Sequence, residues 1–279
     1  MARKTIARAD TPPPFTKLSM AAAASGLFES CDLQLWRASY NCYHSIIEEI
    51  SAQKEKKSSK PKKHTLLELD TWYQDELPDV VSSREEPHLK HEELCKLMAW
   101  KLTRGKFRPR LTELIRENSP ESVERVTRKG FSLLPNLKGA VETLCQLRGV
   151  GPATASALLC AAAPDNAPFM ADEAVMAVPG LGKLDYTLKH YLSYTEAVGD
   201  KAKELNTICA TVSPNGATVS PNGPDKTHWT AHDVELALWA HHLAQKLKPE
   251  ILDLTISSCR KRISSCEHLS VNKKSKPNS

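Results

Sequence analysis

The stretch that most constrains what this chain can fold into is 137–178, LKGAVETLCQLRGVGPATASALLCAAAPDNAPFMADEAVMAV. Leu137, Val141, Leu144 and Leu147 recur at the three- and four-residue spacing of one helix face. Gly149 and Gly151 break that pattern, and glycine tolerates φ > 0 and lets a ligand approach the backbone closely. Pro152 stands where a following helix would begin, a position that favours proline. The second helix, 153–163, is mostly Ala, Ser, Thr and Leu, small enough for two helices to pack closely. The stretch therefore predicts helix, tight hairpin, helix, and then a short loop presenting the acidic pair Asp172 and Glu173.

A hairpin of this kind points free backbone N–H groups outward at a helix N-terminus. Those donors and the positive end of the helix dipole suit a phosphate. GVGPATASALL is thus a candidate helix-hairpin-helix element for a nucleic-acid backbone, with Gly149, Val150 and Gly151 holding phosphate and the Thr154 hydroxyl near the same helix start. A plain αα-hairpin with a glycine turn is the alternative.

Charge supports a polyanionic partner only locally. The net charge of +5 is unevenly placed: residues 1–64 carry +5 and 260–279 another +5, which leaves −5 for the stretch between. A net acidic body cannot hold DNA by its overall field. It needs a local stripe, and 95–112 offers one: Lys96, Lys101, Arg104, Lys106, Arg108 and Arg110 with no carboxylate. Lys101, Arg104, Lys106 and Arg108 are the candidate phosphate contacts, and a solvated face with snorkelling stems is the bland alternative.

The remaining chain reads as helices and linkers. Residues 1–26 are Pro-, Ala- and Ser-rich and predict a disordered tail. An amphipathic helix is expected over 28–50, within a segment 27–53 that packs on the main body. KEKKSSKPKK opens a basic linker over 54–64, readable by a nuclear import receptor or a plain spacer. The helical core is placed at 65–256. It includes a helix over 66–77 ending near Pro78, helices over 91–102, 111–117 and 119–128, and one from Leu184 to about Ile208, kinked at Gly199. ATVSPNG then occurs twice in tandem, predicting a flexible loop over 210–225 without function. Thr230 and Asp233 form a capping-box pattern before a helix to Leu247. A last helix is expected over 249–263, before a basic disordered tail, 265–279.

With 41% apolar and 25% charged residues, the composition is that of a soluble protein, and no apolar run approaches a membrane span. Eight cysteines without a C-x-x-C pair, and no secretory signal, read as reduced thiols in a nuclear or cytosolic protein. Arg3, Lys4 and Arg8 leave a mitochondrial option. Cys259 and Cys266 lack the further thiolates a cluster needs, and His241 and His242 have no partner at metal spacing. Neither cofactor nor metal is expected. Nuclear protein partners and a monomeric state complete the expectation.

The hairpin and the acid together resemble the helix-hairpin-helix DNA glycosylase superfamily, the group of endonuclease III, MutY and AlkA. Those proteins carry a G-V/I-G-x-x-T-A hairpin followed by an apolar run that ends in a catalytic Asp. Here the hairpin runs from Gly149 to Ala155, and the later run is Pro168, Phe169, Met170, Ala171 and then Asp172. The match covers 92–192, and more narrowly the whole chain resembles eukaryotic glycosylase-like proteins related to Amun. The resemblance implies an all-α fold of two helical halves with the site in the cleft between them. It also implies double-stranded DNA as partner and Asp172 as the acid that acts on water, with Glu173 the second candidate. The lysine that forms a Schiff base in bifunctional members would sit two residues after the second hairpin glycine, where this chain has Ala153. That implies base excision by hydrolysis, without lyase chemistry through that position.

Cutting a base from its sugar passes through an oxocarbenium-like state, which needs negative charge beneath it and a water to capture it. A fixed Asp beside a flipped-out nucleotide can serve both needs. Asp172 also opens an apparent helix, where a capping Asp is common for structural reasons alone. A rival reading comes from 142–151 and 173–182, which align without gaps and each end in a Gly-apolar-Gly turn. In that reading the chain is a non-catalytic tandem helix-hairpin-helix module and Asp172 a linker residue. A third reading is an inert scaffold for protein partners. The aromatic wall that would select a base could come from Trp72, Tyr73, Trp100, Tyr186 or Trp239.

Overall fold

The computed structural model describes residues 26–57, 63–212 and 226–252. The expected N-terminal tail, apart from Gly26, and the middle of the basic linker lie outside the described residues. So do most of the duplicated loop, the last helix beyond Leu252 and the basic C-terminal tail, with the Cys259 and Cys266 pair. The described residues are helical, with no strand among them. No helix there is long and apolar enough to cross a membrane.

The segment expected as one helix over 28–50 is two, α1 (Leu33–Asn41) and α2 (Tyr43–Lys56), which meet at Cys42. Asp32 caps α1, its carboxylate accepting from the Gln34 and Leu35 amides. The break lets Trp36 and Ala38 on α1, and Ile46 and Ile47 on α2, all reach the core. Pro78 does not end a helix. α3 (Leu66–Thr71) leads through a widened π turn at Trp72–Glu76 into α4 (Leu77–Ser82), where Pro78 occupies the first turn. The helical run is unbroken from 66 to 82, so the missing N–H of Pro78 leaves its ladder one bond short, directly after the widened turn.

α5 (His91–Arg104) stops at Gly105, and α6 (Pro109–Arg116) starts on a proline, so 105–108 is a short loop carrying two cations. α7 (Pro120–Ser132) runs one turn beyond the expected end because Val126, Thr127, Gly130 and Phe131 are all buried. α8 (Leu137–Leu144) and α9 (Pro152–Ala162) form the predicted hairpin around the two glycines. α9 is buried on every side from Ala153 to Ala161, as expected of an apolar helix with small side chains. It packs against α4, α5, α8 and α11.

α10 (Asp172–Ala177) is short, and α11 (Leu188–Val212) is continuous through Gly199, without a boundary at the expected kink. Thr230 and Asp233 form the predicted capping box of α12 (Ala231–Leu247), the Asp233 amide donating to Thr230 Oγ1 at 3.1 Å and the Thr230 amide to Asp233 Oδ2 at 2.8 Å. α12 packs on α1, α2, α10 and α11, which brings helices from the two ends of the described chain together. His241 is partly buried, with Nδ1 3.0 Å from Ser39 Oγ.

Candidate functional site

A strap of chain from Ala163 to Ala171 carries the acidic pair to its place, and polar side chains on two helices fix that strap. Ser156 Oγ on α9 accepts the Met170 amide at 2.9 Å. From α11, the Tyr191 hydroxyl donates to the Pro168 carbonyl at 3.3 Å and the Tyr194 hydroxyl to the Phe169 carbonyl at 3.4 Å. Phe169, Met170 and Ala171 are buried beneath this lacing. The side chain at the first position of α10 therefore emerges from a rigid mount.

That mount opens on a cavity of about 240 Å³. Its walls are the end of α5, the 105–108 loop, the glycine turn, the start of α9 and the end of the strap. Lys101, Arg104, Lys106, Arg108, Gly149, Gly151, Thr154, Asp172 and Glu173 all line it. Of the candidate residues only Val150 does not, and it is buried under the turn.

Asp172 is not a helix cap. Ala171 holds the capping position with extended backbone, and Asp172 is the first residue inside α10. Its carboxylate is used in the cavity instead. The Tyr186 hydroxyl donates to Asp172 Oδ1 at 2.7 Å, and Lys106 Nζ stands 2.9 Å from Oδ2. The Lys106 amine is raised above its ordinary range by the hydrogen bond to Asp172 and by its charge. Burial and Asp172 together raise the Tyr186 phenol, so it remains a donor. Arg108 lies over the Tyr186 ring, 5.3 Å from its centroid.

The basic stripe divides. Arg104 is withdrawn from any phosphate: its side chain is 1% exposed, it pairs with fully buried Glu235 at 2.9 Å, and it lies 4.1 Å from the Trp239 ring centroid. Lys96 sits over the Trp72 ring. Lys106, Arg108 and Arg110 are exposed, with Phe107 among them. Lys101 is partly buried, and burial, helped by the charge of Arg108, pulls its amine down to about 8, against the opposing pull of Asp172.

The glycine turn has the form required of it at one glycine and space at the other. Gly149 has φ of 78°, and a Cβ there would lie 3.0 Å from Leu114 Cβ. Gly151 is exposed, and a Cβ there would meet nothing within 4 Å. Among the described residues neither amide has a backbone acceptor. The first inward bonds of α9 run from Thr154 and Ala155 to the Gly151 carbonyl, both at 2.8 Å. Thr154 itself is 3% exposed and is part of the cavity lining.

The second Gly-apolar-Gly turn is a different object. Gly180 and Gly182 both have positive φ, whereas in the first turn only Gly149 does. No helix starts at Gly182, and the chain stays irregular until Leu188. Of the five aromatic candidates, Tyr186 and Trp239 reach the cavity, while Tyr73 and Trp100 stack on each other in the core and Trp72 is buried. Phe169 is the lining aromatic that the sequence did not single out, and Tyr186 is the unforeseen partner of Asp172. No family model, curated protein or solved structure matches this chain.

Proposed function

We propose that this chain binds double-stranded DNA and hydrolyses the N-glycosidic bond of a nucleotide drawn out of the duplex, with a fold of the helix-hairpin-helix DNA glycosylase kind. The observation that carries the reading is the meeting of Asp172 with the glycine turn and four cations, one of them the paired Arg104, around one cavity. The Gly149 and Gly151 amides would hold one phosphate, and Lys106 and Arg108 the neighbouring backbone. Asp172 would sit beneath the sugar, where negative charge stabilises an oxocarbenium-like state and orients a water. Tyr186 would hold the carboxylate in place through Oδ1. Lys106 would be drawn from Oδ2 by a phosphate, which leaves that oxygen for the water. A nuclear location and nuclear partners belong to the same reading.

The test is a screen of duplexes with modified bases for release of free base. Base release by the wild-type chain and its loss in Asp172→Asn, with the unfolding transition unchanged, supports the enzyme. Salt-dependent duplex binding that Asp172→Asn leaves intact, with no base released from any duplex, supports a non-catalytic binding module. No salt-dependent binding at all supports a scaffold.

A further inference from the structure

A second cavity, of about 820 Å³, opens where the break at Cys42, the π turn and the start of α12 converge. None of its lining residues lines the cavity that holds Asp172. Its volume lies in the ordinary range of small-molecule sites. Irregular backbone supplies its walls. Two helices in place of one bring Tyr40 and Tyr43 to it, and the π turn brings Tyr73, Gln74 and Asp75. Widened turns of this kind recur at functional sites.

Three carboxylates line this cavity, each in a different state. Asp75 is exposed to solvent. Asp233 is fully used: Oδ1 stands 2.9 Å from Lys226 Nζ, and Oδ2 accepts the Thr230 amide at 2.8 Å. The same Lys226 amine lies 4.5 Å from the Tyr40 ring centroid. One part of the cavity therefore already holds an ammonium, the chain's own, between a carboxylate and an aromatic ring. Asp70 is 4% exposed and only half used. Its Oδ1 accepts both Trp100 Nε1 at 2.7 Å and the Tyr43 hydroxyl at 2.8 Å. Its Oδ2 has no hydrogen-bond or ion-pair partner among the described residues. Neighbouring donors are committed elsewhere. Gln74 Nε2 donates to the Tyr43 hydroxyl at 3.0 Å, and Arg104, whose charge acts on Asp70, is hydrogen-bonded to Glu235 instead. Burial accordingly holds the Asp70 carboxyl above its usual range, against the pull of Arg104. A buried carboxylate oxygen without a donor is costly, and a charged donor removes most of that cost.

We propose that this second cavity is a binding site for an aliphatic ammonium ion, which donates to Asp70 Oδ2 beside the tyrosines and so repeats the contact of Lys226 with Asp233 and Tyr40. The ammonium of a free small amine and that of a lysine side chain share this chemistry. The inference is independent of what the first cavity binds. It also has a built-in reporter. Asp70 Oδ1 holds the Trp100 indole, which stacks on Tyr73 and tilts against Phe169 of the strap. An ion arriving at Oδ2 changes the charge that this indole N–H faces.

The experiment titrates the full, isotope-labelled chain with n-butylammonium chloride at constant ionic strength, followed by nuclear magnetic resonance. The expected result is saturable binding with a Kd of about 1 mM or tighter, and a saturating shift of the Trp100 indole N–H. Two control ligands, n-butanol without charge and tetramethylammonium without an N–H, should bind at least about tenfold more weakly. Asp70→Asn, which keeps the shape and the Oδ1 acceptor, should weaken n-butylammonium at least about tenfold. The wild-type titrations and their controls stand whether or not that variant folds. N-acetyl-lysine amide separates the two sources: affinity equal to that of n-butylammonium supports a lysine side chain as the occupant, and its exclusion supports a free amine. No saturation below about 10 mM, equal binding of either control ligand, unchanged affinity in a folded Asp70→Asn, or shifts that spare Trp100 overturns the proposal.

Discussion

Arg104 Nη2 lies 2.9 Å from Glu235 Oε1, across 131 residues of sequence, with both side chains sealed from solvent. The guanidinium is also 4.1 Å from the centroid of Trp239 and 5.5 Å from that of Trp100. This pair fastens α5, which leads into the cationic loop, to α12, whose Trp239 lines the cavity. Removing one partner leaves the other buried without its hydrogen-bonded counter-ion, with only Asp70 facing Arg104 or His232 facing Glu235. Glu235→Ala should destabilise the fold by about 3–5 kcal/mol, and joint replacement by Arg104→Met and Glu235→Leu should recover most of that loss. Chemical denaturation of the three variants measures it.

The two glycines of the turn should respond in opposite ways. Gly149→Ala places a side chain at positive φ against Leu114, and its stability should fall by about 1–2 kcal/mol. Gly151→Ala fits its extended backbone and open surroundings, so its unfolding transition should stay in place. Its methyl group stands where a phosphate would approach, and duplex affinity should drop by around tenfold, about 1.4 kcal/mol. Thermal melts and fluorescence anisotropy at fixed salt distinguish the two.

Salt dependence should come from the exposed cations of the loop and of the start of α6, and not from the whole stripe. Arg108→Gln and Arg110→Gln should each lower the slope of log affinity against log salt by about 0.9 for every phosphate that the arginine had neutralised. Lys96→Gln should leave the slope unchanged, because its amine sits over the Trp72 ring. Titrations of one duplex across several salt concentrations give the slopes.

Acid should weaken the fold partly through His241. Burial, with His242 beside it, lowers this imidazole from 6.5 to about 4. Between those values the unfolded chain binds a proton that the folded chain refuses, so stability falls as pH drops through that window. The loss is on the order of 3 kcal/mol, most of it developed by pH 4 and complete only below that. His241→Asn, which keeps an acceptor and donor near Ser39, should flatten that part of the profile when unfolding is followed from pH 7 to pH 4.

Local spacing made the hairpin, its glycines and the capping box of Thr230 and Asp233 readable, because each is completed within a few residues. The same locality let the basic residues of 95–112 be found and hid how they divide. Arg104 and Lys101 are three residues apart, yet one meets a carboxylate 131 residues away and the other an open cavity. The role of Asp172 was ambiguous for a similar reason. A one-residue shift of the helix start, to Ala171 as cap, freed its carboxylate for Tyr186 and Lys106. The break at Cys42 and the helix through Pro78 were decided by which side chains the distant core could accept, which no window of sequence contains.

The glycine turn is bolted to the segment that follows the cationic loop. Asn118, just past α6, donates from Nδ2 to the Arg148 carbonyl at 3.0 Å and accepts the Arg148 amide on Oδ1 at 2.9 Å. The missing side chain of Gly149 lets the turn seat against Leu114 and Ile115 of α6. Turn and loop therefore share one anchor, and the interval between their anion-facing groups is set before any ligand arrives. Under the proposed function such a pair would act as a gauge: a chain of phosphates with the right repeat would engage both ends at once, whereas a single free anion would engage only one.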